Sequence, residues 1–173
     1  MAFVFTVEDG TGLSNATSYV SVSDADDFLA VNIHVSDTWM ALDIEQKEKL
    51  LSWASRYLDE KVRWYGDKYV ATSSLRWPRS RIVDRDNLLI PSNVIPAQLK
   101  IATAEMARYL LTSDRTVERD QDALKRVKAD VVEVEFDNAY RLPQVPSYIS
   151  ALITGLGAIH NSSGGMQVKR LIR

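Results

Sequence analysis

Apolar positions change their spacing several times along the chain, and each change marks an element. Phe3, Phe5 and Val7 alternate before the turn cluster Glu8-Asp9-Gly10-Thr11-Gly12, which predicts a short strand or extended arm over 1–22 that ends in a loop. Ser23 with Asp26 three residues on is a capping pattern. It predicts a helix through Phe28 and Leu29 to about Asn32, with carboxylates at the positive end of the helix dipole. Ser36-Asp37 opens a short turn through Trp39, Met40 and Leu42. Asp43 with Gln46 then starts a helix over 44–64, with Leu50, Ala54, Tyr57, Leu58 and Val62 on one face and Glu45, Lys49 and Glu60 opposite.

Between Tyr65 and Val94 the periodicity fails. Gly66, Pro78 and Pro91 interrupt it, and Asp84-Arg85-Asp86-Asn87 predicts a turn between short strands. A connection of this length in a small domain is functional or carries structure of its own. Pro96 occupies a first helical position, and Leu99, Ala102, Thr103, Met106 and Leu110 form a stripe that ends near Ser113-Asp114. The small Ala102 and Thr103 side chains let a neighbouring helix come close. Residues 114–126 are polar and charged, and predict a solvated stretch. Val132-Glu133-Val134-Glu135-Phe136 alternates as a half-buried strand; Val127, Ala129 and Val131 alternate in the opposite phase, so a bulge or tight turn is expected between Val131 and Val132. A last helix from about Pro146 sets Ile149, Leu152, Ile153 and Leu156 at helical spacing and closes at Gly155 or Gly157. The elements sum to a mainly α protein of about four helices with a small β-hairpin and one extended loop. Residues 1–160 make one domain, followed over 161–173 by an Asn-Ser-Ser-Gly-Gly hinge and a C-terminal arm.

Composition narrows the chemistry. The 173 residues suffice for one real core, and 46% hydrophobic with 25% charged residues is ordinary globular usage. The absence of cysteine removes disulfides, thiolate catalysis and thiolate zinc sites, and suits synthesis in a reducing cytosol. No apolar run approaches the ~20 residues of a membrane span, and no signal peptide is visible, so a chain that is not exported is expected. A net charge of −2 argues against a surface that grips nucleic acid all over, while 21 Lys and Arg allow a local basic patch.

Catalysis finds little footing. His34 and His160, the two histidines, lack the context of a base beside a nucleophile. Neither a phosphate-cradling loop nor a dinucleotide fingerprint occurs, and no cofactor is expected. Asp24, Asp26 and Asp27 have the oxygen ligands for a hard cation, but a helix start accounts for them without a metal. Arg76-Trp77-Pro78-Arg79-Ser80-Arg81, with Arg63-Trp64-Tyr65 upstream, interleaves cations and aromatics as a single-strand binding surface does. Tryptophan is mostly buried, however, so Trp64 and Trp77 as core anchors under arginine side chains are favoured. In the terminal segment, Val168, Leu171 and Ile172 alternate with Lys169, Arg170 and Arg173 behind the hinge. A frayed end needs no apolar side chains; an arm that orders on a partner does.

Several of these stretches resemble a family of phage proteins labelled DnaT-like single-stranded-DNA-binding, itself similar to head–tail adaptors, also called head completion proteins. The matching residues are Val7 to Gly12, Ser18 to Asp26 through Phe28, Leu75-Arg76-Trp77-Pro78-Arg79, Ile90-Pro91 with Val94-Ile95-Pro96, Val132 to Phe136, and the basic, apolar C-terminal end. The resemblance implies a non-enzymatic virion protein at the head–tail junction: a helical-bundle protomer, about a dozen copies of which ring the DNA channel beneath the portal. Val168 to Arg173 become a portal-docking arm. Arg76, Trp77, Arg79, Arg81, Asp84 and Arg85, in the 65–94 loop, become contacts to neighbouring copies or to the next tail or stopper component. Duplex DNA passes without sequence-specific binding, which a mildly acidic chain suits, because each basic contact would add affinity through counterion release. Acidic segments at 23–27 and 43–48 and basic ones at 76–85 and 125–128 can supply the complementary faces of a ring. The alternative is a single-stranded-DNA-binding protein that exposes Arg76, Trp77, Arg79 and Arg81.

Overall fold

The structure, a computed structural model, describes residues 3–34, 36–112, 114, 126–129, 132–135 and 144–159. The protein is mainly helical. Helices α1 (Val22–Ala30), α3 (Ile44–Lys61) and α4 (Ala97–Thr112) are substantial, and α2 (Ser36–Met40) and α5 (Ser147–Leu152) are short. Among the described residues three two-stranded antiparallel sheets accompany the helices: β1 (Val62–Trp64) with β6 (Gly157–Ile159), β2 (Asp67–Lys68) with β3 (Arg79–Ser80), and β4 (Arg126–Ala129) with β5 (Val132–Glu135).

Helix α4 is the centre. It packs against α1, α3 and α5, most extensively against α3. Its stripe of Leu99, Ala102, Thr103, Met106 and Leu110 is buried as the spacing predicts, and Ala104, Glu105 and Ala107 are buried as well. Short side chains at positions 102–104 and 107 permit that close approach. Pro96 precedes the first helical residue, one position earlier than expected, and its carbonyl accepts from the Leu99 and Lys100 N–H groups.

Helix α3 opens with the anticipated capping box: the Asp43 carboxylate accepts from the Gln46 N–H at 2.7 Å and the Gln46 side chain accepts from the Asp43 N–H. Its buried face is Leu51, Ala54, Ser55, Tyr57 and Leu58; Leu50, expected on that face, is only half-buried at its edge. The helix stops at Lys61 rather than 64, because Val62–Trp64 leaves to pair with Gly157–Ile159. Gly157 therefore does not end a helix. A Cβ there would lie 2.7 Å from the Val62 side chain and 3.0 Å from the Trp64 ring, so only glycine admits this pairing.

Helix α1 is capped by Ser21, whose hydroxyl accepts from the Asp24 N–H at 3.0 Å, and not by Ser23. The Ser-x-x-Asp pattern occurs twice in overlapping frames, and the earlier frame turns Ala25 and Leu29 inward. The loop from 65 to 94 carries structure of its own, the β2–β3 hairpin and a Val83–Leu89 bridge across the expected turn. The β4–β5 register pairs Ala129 with Val132; the expected bulge or turn at Val131 lies outside the described residues. The charged stretch 115–125, His160, the hinge and the arm at 166–173 lie outside the described residues.

Candidate nucleic-acid interface

Three segments converge on one carboxylate. Asp59, near the end of α3, accepts from the Tyr19 hydroxyl at 2.6 Å, the Trp64 indole N–H at 2.8 Å and the Arg76 backbone N–H at 3.0 Å. The Tyr19 hydroxyl in turn accepts from the Arg76 and Trp77 N–H groups, and the Tyr19 N–H donates to Ser55 Oγ. Trp77 is fully buried and meets Trp64 edge to face, ring centroids 6.0 Å apart. Burial pushes the Asp59 carboxyl above its usual range despite three donors. Burial, with the neighbouring Asp59 charge, holds the Tyr19 phenol far above its ordinary value, so it remains a neutral donor. The Glu8 to Gly12 motif is a second such anchor: buried Glu8 accepts from the Gly10, Gly12 and Leu13 N–H groups at 2.8–3.0 Å. Gly10 has φ +100°, with Asn93 O where a Cβ would stand.

On the outer side of this hub lies a groove of about 890 Å³ between the N-terminal segment, the outer face of α3 and the 65–79 loop. Its cations are Lys49, Arg56, Lys68, Arg76 and Arg79, against the carboxylates Asp59 and Glu60. Phe3 and Trp53 supply aromatic surface. Lys49, Trp53, Arg56 and Glu60 stand at helical spacing on α3, which puts them on one stripe. A smaller cavity of about 480 Å³ shares Trp53, Arg56 and Glu60. Among the described residues Arg56 and Arg76 form no ion pair. Lys49 pairs with Glu45, and the Lys68 ammonium donates to the Ser73 carbonyl. Arg79 is spent on structure: its guanidinium donates to the Tyr65, Gly66 and Arg76 carbonyls, and burial lowers its pKa.

The loop residues singled out in the sequence therefore part company. Arg76 faces the groove and Arg79 forms its wall, but Trp77 is core and cannot stack on a ligand. Arg81 pairs with Asp67, and Asp84 closes its own turn by accepting from the Asp86 and Leu88 N–H groups, while Arg85 is exposed. The three α1 carboxylates do not converge: Asp24 meets Lys100, Asp26 takes Lys47 and the Trp39 indole N–H, and Asp27 is exposed. His34 is exposed. The stacking candidate the sequence concealed is Trp53. Its signal was the Lys49-Trp53-Arg56 spacing on α3, outside the loop where cations and aromatics adjoin.

The molecule is mainly helical, with a groove whose α3 wall carries Lys49, Trp53 and Arg56. Residues 2–173 match the model of a family described as "Putative DnaT-like ssDNA binding protein", and the chain belongs to that family. No curated protein and no solved structure matches it. Among the described residues no helix is long and apolar enough to cross a membrane.

Proposed function

We propose that the protein binds single-stranded DNA in the α3 groove, without a catalytic step. Arg56, Arg76, Lys68 and Lys49 track the phosphates, and Trp53, with Phe3 at the rim, stacks bases. The observation that carries this is the juxtaposition of unpaired arginines with an accessible tryptophan along one groove; membership of a family with that description supports it. Anisotropy titrations of a labelled oligothymidylate and of a duplex, over a range of salt, test it. Four phosphate contacts on a single strand give a log–log salt slope of about −3. Replacing both Arg56 and Arg76 by Ala should weaken binding at least tenfold while leaving the melting temperature unchanged, since both side chains are exposed. No binding at moderate salt, or binding indifferent to that double change, would overturn the proposal.

A second reading is the ring-forming head–tail adaptor, bound to portal through residues 166–173 and located in the virion. Its support is the Val83–Leu89 hairpin, which holds Leu88 and Leu89 65% and 70% exposed, as a surface made for another protein would. On this reading oligonucleotides bind weakly, the chain is found in finished particles, and removing residues 162–173 leaves a folded protomer that no longer attaches. Attachment that survives the deletion would count against it.

A further inference from the structure

Phosphate tracking and base stacking leave one side chain of the groove without a use. Of the two carboxylates that line it, Asp59 is committed to the hub, whereas Glu60 is exposed and forms no ion pair among the described residues. Arg56 stands one turn before Glu60, at a spacing that allows a pair, and none forms, although the same helix closes the Glu45–Lys49 pair at 2.6 Å. A free anion among phosphate-binding cations repels the phosphates. Electrostatics alone would therefore favour a neutral or basic residue at this position.

Glu60 also lines the smaller cavity of about 480 Å³, together with Trp53, Arg56 and Tyr57. Tyr57 belongs to the core, its hydroxyl donating to the Gln144 carbonyl. The other three surround the space with a stacking ring, a cation and a hydrogen-bond acceptor, and its size is usual for a small-molecule pocket. All of them follow one another along a single face of α3, so a helix and not a loop sets their spacing.

We propose that this cavity reads an unpaired guanine. The base stacks on Trp53, Arg56 holds its phosphate, and the Glu60 carboxylate accepts from N1–H and N2–H of the Watson–Crick edge. This rests on the single-strand reading of the groove and adds a base preference to it. An ionised carboxylate can only accept, so it favours an edge with two adjacent donors. Guanine alone has one. Adenine and cytosine each set one amino group beside a bare ring nitrogen, and thymine flanks its single N–H with two carbonyl oxygens. In a duplex cytosine already occupies the guanine edge, so the contact is open only in a single strand.

Anisotropy titrations of the full chain test this with an oligothymidylate whose central base is thymine, guanine, adenine or hypoxanthine. One guanine per strand keeps the oligonucleotide from folding on itself. Guanine should tighten binding about fivefold over thymine, near the low end for a two-hydrogen-bond base contact because Glu60 is exposed. Hypoxanthine, which lacks the 2-amino group, should lose most of that gain, and adenine should show little of it. Glu60→Gln should abolish the guanine preference, since its amide sets one donor beside one acceptor, and should bind plain oligothymidylate more tightly than wild type does, because a negative charge leaves the groove. Oligothymidylate bound with no gain from guanine, or a gain that survives in Glu60→Gln, would overturn the inference and leave the groove reading standing. Failure of every strand to bind would remove both.

Discussion

Arg76 and Trp77 are neighbours in sequence and belong to two different environments. Trp77 points into the hub, where buried Tyr19 and half-buried Asp59 join three segments of chain; Arg76 points into the groove, where its charge meets no ion-pair partner among the described residues. The backbone N–H groups of both residues serve the hub, so the closed region fixes the loop and the open region uses it. An Arg-Trp-Pro-Arg run taken as a single binding motif is thus half scaffold. The lesson extends to Arg79, whose guanidinium ties three backbone carbonyls and shapes the groove wall rather than offering itself to a ligand.

The sharpest separation of the two regions comes from the hub. Trp77→Ala should destabilise the fold by about 3–5 kcal/mol, the usual cost of emptying a fully buried aromatic site, measured by urea unfolding. A loss under about 1 kcal/mol would return Trp77 to the surface and restore it as a stacking residue. Asp59→Asn comes next, at about 1–3 kcal/mol, because the new amide cannot accept from the Arg76 N–H where a carboxylate oxygen did. The pH dependence supplies a further check with a definite sign. The folded Asp59 pKa is raised above 3.8, so its contribution is complete below 3.8 and is lost as pH rises through the folded value. In Asp59→Asn that falling component of the stability profile should vanish; a profile unchanged by the substitution would mean the carboxyl ionises as freely folded as unfolded.

Much of the fold was legible because its signals are local. The Asp43–Gln46 box and the Leu99 to Leu110 stripe each lie within one element and predict α3 and α4 directly. The β1–β6 pairing was not legible, because Val62 and Ile159 are remote in sequence and each strand is only three residues long. Gly157 reads locally as a helix stop, and only the Trp64 face packed against it gives the true reason for a glycine. Asp59 looks like one more surface acid beside Glu60 and Lys61; its donors arrive from Tyr19, Trp64 and Arg76, two of them far along the chain. The groove was half legible: Arg76 came from cation–aromatic adjacency, whereas Trp53 required reading α3 by its outer face as well as its buried one.

Within the groove, Trp53→Ala should weaken oligonucleotide binding by about 1 kcal/mol, near the low end for a single stacked base, since the half-buried ring has only part of its face to offer. Trp53→Phe should recover most of that loss, because a smaller ring still stacks; an alanine variant that binds as well as wild type would leave the groove purely electrostatic.

The smallest effect belongs to Arg81, and its smallness is informative. Its ion pair with Asp67 joins two side chains that are both exposed, 76% and 55%, so water screens the charges and the long arginine loses rotamer freedom in pairing. Arg81→Ala should therefore change stability by less than about 1 kcal/mol and leave oligonucleotide affinity almost unaltered, since Arg81 does not line the groove. One complication is testable in the same variant. Arg81 has φ 60°, a conformation that costs alanine as much as arginine, so the substitution isolates the ion pair from the backbone. Arg81→Gly relieves that backbone cost while also losing the pair, and should come out at least as stable as Arg81→Ala. If Arg81→Ala instead cut DNA affinity severalfold at unchanged stability, the cationic surface would extend past Arg79 along β3, and Arg81 would belong to the groove rather than to the scaffold.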